Sequence, residues 1–134
     1  MESFLLHERL AADTAFVADW GLSRVLLMND ARYPWLILVP RHAGLSELHD
    51  LAQAERMALI EEIARAGAAL KVLADAVKIN VGALGNLVPQ LHVHVVARRP
   101  GDAAWPGPVW GQGTAEPYQT GARDEFIARL RSVL

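Results

Sequence analysis

The sequence predicts an α+β fold: an antiparallel sheet of about five strands, one long covering helix and a C-terminal helix. Three observations predict it. Short apolar runs separated by turn residues fill the first 40 positions, one segment after Asp50 has helical spacing, and strand-like runs resume after it. The strands do not alternate with helices, so βαβ units and a parallel sheet are not expected.

Taken in order, Leu10-Ala11-Ala12 could open a helix, but Thr14 to Trp20 reads better as a strand ending at Gly21. Ser23 to Met28 follows after Gly21-Leu22, which predicts a β-hairpin. Asn29 to Pro34 is turn chemistry, and Trp35 to Val39 is an apolar run of strand length stopped by Pro40. Asp50 is the expected N-cap of a helix from Leu51 to about Ala74. Ile60, Ile63, Gly67, Leu70 and Ala74 make its apolar stripe, with Gly67 a notch for close approach to a sheet, and Glu61 can pair with Arg65. Val77 to Val81 and Gln90 to Ala97 complete the strands. Pro100 to Gly121 holds four prolines, five glycines and two tryptophans without period, which marks a functional loop or a packing arm. Asp124 to Leu134 closes the chain as a helix.

With 134 residues, 52% hydrophobic and 21% charged, the chain reads as one globular domain over 1–134, with a core at about 14–98 and an arm and helix at about 99–134. A net charge of −2 offers no basic field for a nucleic-acid polymer, although a single nucleotide needs only a local pocket. Without cysteine there are no disulfides, thiolate metal sites or cysteine nucleophiles. The N-terminus lacks a signal peptide or membrane span, so a cytoplasmic location is expected.

Gln90-Leu91-His92-Val93-His94-Val95-Val96 carries the chemistry. Alternation on a strand turns Gln90, His92 and His94 to one face and Leu91, Val93 and Val95 to the core. Three readings of that face are open. It can be a solvated strand face. It can be a His-x-His metal site, with His42 and His49 as further ligands by residue type alone. Or it can be nucleophilic, since a neutral imidazole attacks phosphorus and a second imidazole two residues on can donate to phosphate oxygens or the leaving group.

The segment resembles the histidine-triad (HIT) signature, His-φ-His-φ-His-φ-φ with φ hydrophobic, with Gln90 in place of the first histidine. Trp35 to His42 resembles the family's strand and Pro-x-His ahead of the long helix, Asn80 with Gly85-Asn86 its nucleotide-contacting loop, and Val25 to Asn29 its base and ribose strand. The resemblance covers about residues 14–98, and Leu26 to Asn29 looks closest to the dinucleoside polyphosphate hydrolase branch. It implies that His92 is a nucleophile forming a nucleotidyl-histidine and that His94 contacts the scissile phosphate. It implies ribose or phosphate contacts for Asn29, Asn80 and Asn86, and a pocket-edge supporting role for His42. His7 and His49 have no matching role and are expected on the surface. No tightly bound cofactor or metal is implied, magnesium entering only with a polyphosphate substrate, and the expected assembly is a homodimer. Trp105 and Trp110 would either seal that dimer, with one of them capping the partner's nucleotide pocket, or pack on their own domain. Glutamine cannot carry a proton charge. If the first position only orients its neighbours, catalysis survives at Gln90; if it must be cationic, the chain binds nucleotides with little turnover.

Overall fold

The computed structural model describes residues 3–134, and its five strands form a single antiparallel sheet. They are β1 (Thr14–Asp19), β2 (Ser23–Met28), β3 (Trp35–Pro40), β4 (Lys78–Gly82) and β5 (Val93–Arg98), in the order β1-β2-β3-β5-β4. Helices α1 (Glu8–Asp13), α2 (Gln53–Leu73) and α3 (Thr120–Val133) complete the predicted α+β architecture. The helical option at Leu10 is therefore realised as α1, and β1 follows it directly.

Alternation sorts the strand residues onto two faces. Val25, Leu27, Leu36, Leu38 and Val95 pack under α2 and α3 with Leu70 and Leu130. On the other face Leu26, Trp35, Ile37 and Val96 are covered by Leu10 of α1 and Val109 of the arm. The sheet is thus buried on both sides, which explains why β3 reads as a continuous apolar run.

Three local expectations for α2 are corrected. Asp50 caps the preceding 3-10 turn (Leu48–Asp50) rather than α2, because its carboxylate accepts from the Ser46 and Glu47 backbone N–H groups at 3.1 and 2.9 Å. The buried stripe runs through Leu59, Ala66, Gly67, Ala69 and Leu70, while Ile60 is 58% exposed. Arg65 does not pair with Glu61; its guanidinium lies 4.1 Å from the Trp20 ring centroid. Glu62 has a sharper role, since its carboxylate accepts from the backbone N–H of Leu22 and Ser23 at 2.9 and 3.0 Å and so clamps the β1–β2 turn. The notch at Gly67 is as expected: a Cβ there would lie 3.4 Å from Ile79 Cγ2 and 3.9 Å from Val95 Cγ1.

Residues 99–119 contain no helix or strand and fold back on their own chain. Arg98, 1% exposed, donates to Asp102 from Nε and Nη2 at 2.8 and 2.9 Å. Farther along, Ala31 N donates to Glu116 O at 2.6 Å, Arg32 Nη1 to Gln112 O at 2.7 Å and Tyr118 N to Asn29 Oδ1 at 2.9 Å. These bonds tie the arm to the β2–β3 turn; Tyr118 packs on the α2 side, and Val109 packs on the sheet face opposite α2. Of the two arm tryptophans, Trp110 packs onto that face and Trp105 stays 37% exposed.

Candidate active site

Strand β5 starts at Val93, three residues later than the sequence predicts. Pro89 has no N–H to give, and Leu91 N donates to Leu45 O at 3.0 Å, so residues 90–92 run along the loop after β3 instead of in the ladder. The alternation nevertheless survives. Leu91 and Val93 bury with Leu45, Leu51 and Leu59, while the His92 and His94 rings lie together with centroids 4.9 Å apart. Gln90 departs from the pattern. Its Oε1 accepts from His7 N at 2.8 Å and its Nε2 donates to Leu5 O at 2.9 Å.

Each histidine has its tautomer set by a partner that can play only one role. His92 Nδ1 lies 2.7 Å from the Gln90 carbonyl oxygen, an acceptor only, so Nδ1 carries the proton and Nε2 of the neutral ring keeps its lone pair. His94 Nδ1 lies 3.0 Å from Trp35 Nε1, a donor only, so Nδ1 accepts and Nε2 carries the proton. A bare nitrogen therefore sits beside an N–H donor, on two rings that are each 7% exposed. Trp35 and Trp110 meet the His94 ring edge-on at 5.6 and 5.5 Å between centroids. Burial, and next the neighbouring His92, push the His94 pKa down to about 4. His94 is then neutral at pH 7. An unfolded histidine takes up its proton near 6.5, so folding stability drains away as the pH falls from 6.5 to about 4.

Trp35→Phe tests this arrangement by keeping a ring and deleting the donor. The expected result is a mixed His94 tautomer in nitrogen NMR and a fall in turnover of about tenfold, the rate equivalent of one hydrogen bond. An unchanged His94 nitrogen spectrum would show that the indole does not set the tautomer.

A cavity of about 640 Å³ opens beside the pair. Met28, Trp35, Asn86, Trp110 and Arg9 are on its walls, and its size lies within the roughly 300–1,000 Å³ of small-molecule sites. Gly82, opposite His94 in the β4–β5 ladder, makes room for Trp110: a Cβ there would come within 3.0 Å of the indole Cη2. A second cavity of about 240 Å³ shares His92 and Gly85 with the first and adds Gln90 and His49.

The structure brings His92, His94 and Asn86 to the larger cavity and Gln90 to the smaller one. The other expected contacts lie elsewhere. Asn29 Oδ1 is taken by Tyr118 N, and Asn80 Oδ1 accepts from Arg98 Nη1 at 2.8 Å. His42 Nδ1 stands 3.2 Å from Glu55 Oε2 and lines neither cavity. His7 caps α1 through its Nδ1, which accepts from Arg9 N at 3.0 Å. Among the described residues no group of three or more His, Asp or Glu could hold a metal ion.

Of the wall residues, the sequence singled out neither Arg9, Asp30 nor Arg32; it placed Trp35 only on a strand, His49 only among metal candidates and Trp110 at a dimer seam. A signal existed for Trp35, because pairing its strand with the histidine strand puts it on the His94 face. Arg9 and Trp110 reach the site through long-range packing of the N-terminal segment and the arm, which leaves no local pattern.

Residues 9–101 match the HIT domain model. The chain belongs to the HIT domain family. It is similar to the crystal structure of histidine triad protein blr8122 from Bradyrhizobium japonicum, with 47% identity, 98% of each chain covered and a TM-score of 0.96. It is also similar to the histidine triad protein SMc02904 from Sinorhizobium meliloti 1021, with 49% identity over 98% of this chain and 97% of that one and a TM-score of 0.96. A histidine triad protein from Marinobacter aquaeolei VT8 shares 44% identity over 99% and 97% of the two chains, with a TM-score of 0.97. No curated protein matches the chain. Family membership supports a nucleotide-binding or hydrolase-type function in general terms. No helix among the described residues is long and apolar enough to cross a membrane.

Proposed function

We propose that this chain is a nucleotide hydrolase that attacks the α-phosphate of dinucleoside polyphosphates or nucleoside phosphoramidates through a nucleotidyl-histidine intermediate. One observation carries the reading: with Nδ1 of His92 held by the Gln90 carbonyl and Nδ1 of His94 by the Trp35 indole, the two rings stand 4.9 Å apart at the wall of a nucleotide-sized cavity, which leaves Nε2 of His92 as the lone-pair nitrogen of its neutral form and Nε2 of His94 as a donor. His92 Nε2 attacks phosphorus in line, the N–P bond forms and the bond to the leaving group breaks. His94 Nε2–H donates to a phosphoryl oxygen, where charge gathers in the transition state. Water then attacks phosphorus and the N–P bond breaks, releasing the nucleoside monophosphate and free His92.

Gln90 supports turnover in this reading through its main chain, whose carbonyl fixes His92, a task that needs no particular side chain. Asn86 is the polar group closest to a phosphate role; Asn29, Asn80 and His42 hold the scaffold around the site. No tightly bound cofactor takes part, and magnesium arrives with polyphosphate substrates. The cysteine-free chain works on a small-molecule nucleotide in the cytoplasm. The test is a screen of adenosine and guanosine substrates with polyphosphate, amide and sugar leaving groups, run on wild type and His92→Asn. Binding of AMP with no turnover of any substrate would favour a non-catalytic nucleotide-binding module instead.

The proposed assembly is a homodimer joined at the β4 edge. That strand ends the sheet, and Val81 in it and Val77 and Leu84 beside it are 49%, 54% and 46% exposed. Light scattering at micromolar concentration should give twice the monomer mass; a monomer there contradicts the assembly.

A further inference from the structure

The side chain at the first position of the motif is not spent on the phosphate. Both ends of the Gln90 amide hold the N-terminal segment, through His7 N at 2.8 Å and Leu5 O at 2.9 Å. His7 in turn caps α1, and Leu10 of α1 is buried with Leu26, Ile37 and Val88. These two anchors seat α1 on the catalytic face of the sheet. Arg9, beside Leu10, therefore lies on the wall of the 640 Å³ cavity and of an adjoining 150 Å³ cavity, and both cavities are lined by His92 and His94.

The guanidinium of Arg9 is available there. Its partner is Asp13 at 3.0 Å, with the two side chains 65% and 44% exposed. An ion pair so open is worth about 0.2–1 kcal/mol, whereas guanidinium grips a phosphate through two parallel hydrogen bonds. The other arginine on the large cavity is committed: Arg32 is bound to Asp30, which is 1% exposed, at 2.9 Å.

We propose that Gln90 is a positioning residue that latches the N-terminal segment across the site, and that Arg9, so placed, binds the phosphate beyond the one His92 attacks. The inference rests on the hydrolase reading and narrows its substrate class to nucleotides with an anionic polyphosphate leaving group. The electron count favours that class. As the His92 Nε2–P bond forms, the P–O bond to the bridging oxygen breaks and its electron pair stays on the departing phosphate. A fixed positive charge neutralises that oxygen directly, whereas a departing amine must take up a proton, which a guanidinium does not supply.

Two measurements test it. Turnover of diadenosine tetraphosphate and adenosine 5′-phosphoramidate is compared in wild type, Arg9→Ala, Arg9→Lys and Gln90→Ala. Arg9→Ala should lower the polyphosphate-to-amidate ratio of kcat/KM about tenfold, mainly through KM, as expected for one lost charge-assisted contact. Arg9→Lys should restore part of the ratio. Gln90→Ala should lower it in the same direction and speed amide hydrogen exchange in residues 5–9. Equal losses on both substrates in Arg9→Ala overturn the proposal, and unchanged exchange in Gln90→Ala overturns the latch. Calorimetry reads the same contact without turnover: ADP should bind more tightly than AMP in wild type, and Arg9→Ala should lose that advantage. An ADP advantage that is absent in wild type or intact in Arg9→Ala contradicts the proposal. Failure of the hydrolase reading looks different, as an ADP advantage that depends on Arg9 with no turnover of any substrate.

Discussion

His92→Asn should abolish turnover of nucleoside phosphates, by at least about 10³-fold, while AMP binding changes little. Asparagine is of similar polarity and can still donate to the Gln90 carbonyl, so the loop that ends in β5 keeps its anchor. What it lacks is a nitrogen lone pair in the position of Nε2. Nothing nearby can substitute. The neighbouring His94 presents its Nε2–H to the site and commits its lone pair to Trp35 Nε1 at 3.0 Å. The loss should fall on kcat rather than KM, because the deleted atom reacts with the nucleotide but does little to hold it. Turnover that persists in the variant would move the chemistry to another residue.

The largest expected effect on stability lies away from the histidines. Asp102→Ala should cost about 3–5 kcal/mol, the usual result of removing one partner of a buried ion pair. Arg98 is 1% exposed, and Asp102 faces two of its nitrogens at 2.8 and 2.9 Å; without that carboxylate only Asn80 remains as a hydrogen-bond partner. Asp102 also accepts from Trp105 N at 2.8 Å, so the same change loosens the arm that carries Trp110. Urea unfolding should show the loss as a lower midpoint, and a shift below 1 kcal/mol would mean that the arm is held mainly by its other anchors. The pH dependence separates two contributions. Hydrogen bonding from Arg98 lowers the Asp102 pKa from 3.8, so its stabilisation is complete above 3.8 and is lost only as the pH falls through the lower folded value. The His94 contribution is lost earlier, between 6.5 and about 4. Asp102→Ala should therefore leave the upper window in place and weaken the lower one, to which Asp19, Asp30 and Asp50 also contribute.

The sheet was legible because it obeys simple patterns. Strand alternation in β5, the turn at Gly21-Leu22 and the run stopped by Pro40 are local signals with local causes. The order of β5 between β3 and β4 is a long-range pairing without such a signal. The boundary of β5 was misplaced because residues 90–92 continue its alternation while bonding to Leu45 instead of a strand. The stripe on α2 was misjudged because Ile60 is the more hydrophobic candidate and Leu59 is the one the sheet covers.

Within the site, alternation placed His92 and His94 correctly relative to the core, and the resemblance supplied the chemistry to expect of them. It did not foresee that Asn29 and Asn80 are occupied by Tyr118 and Arg98, which come from the arm and from the end of β5. Nor did it foresee the Trp35 indole that orients His94, or the N-terminal segment held by Gln90. These contacts join residues 18 to 89 positions apart, beyond the reach of any short pattern.

The most direct test of the central claim is to trap the intermediate. Wild-type protein mixed with a dinucleoside polyphosphate and quenched within one turnover should carry a nucleotidyl group on the peptide containing His92, labile to acid and stable to base, as a phosphoramidate is. The adduct should be absent from His92→Asn. Turnover in the wild type with no adduct, or an adduct on another residue, would contradict His92 as the nucleophile.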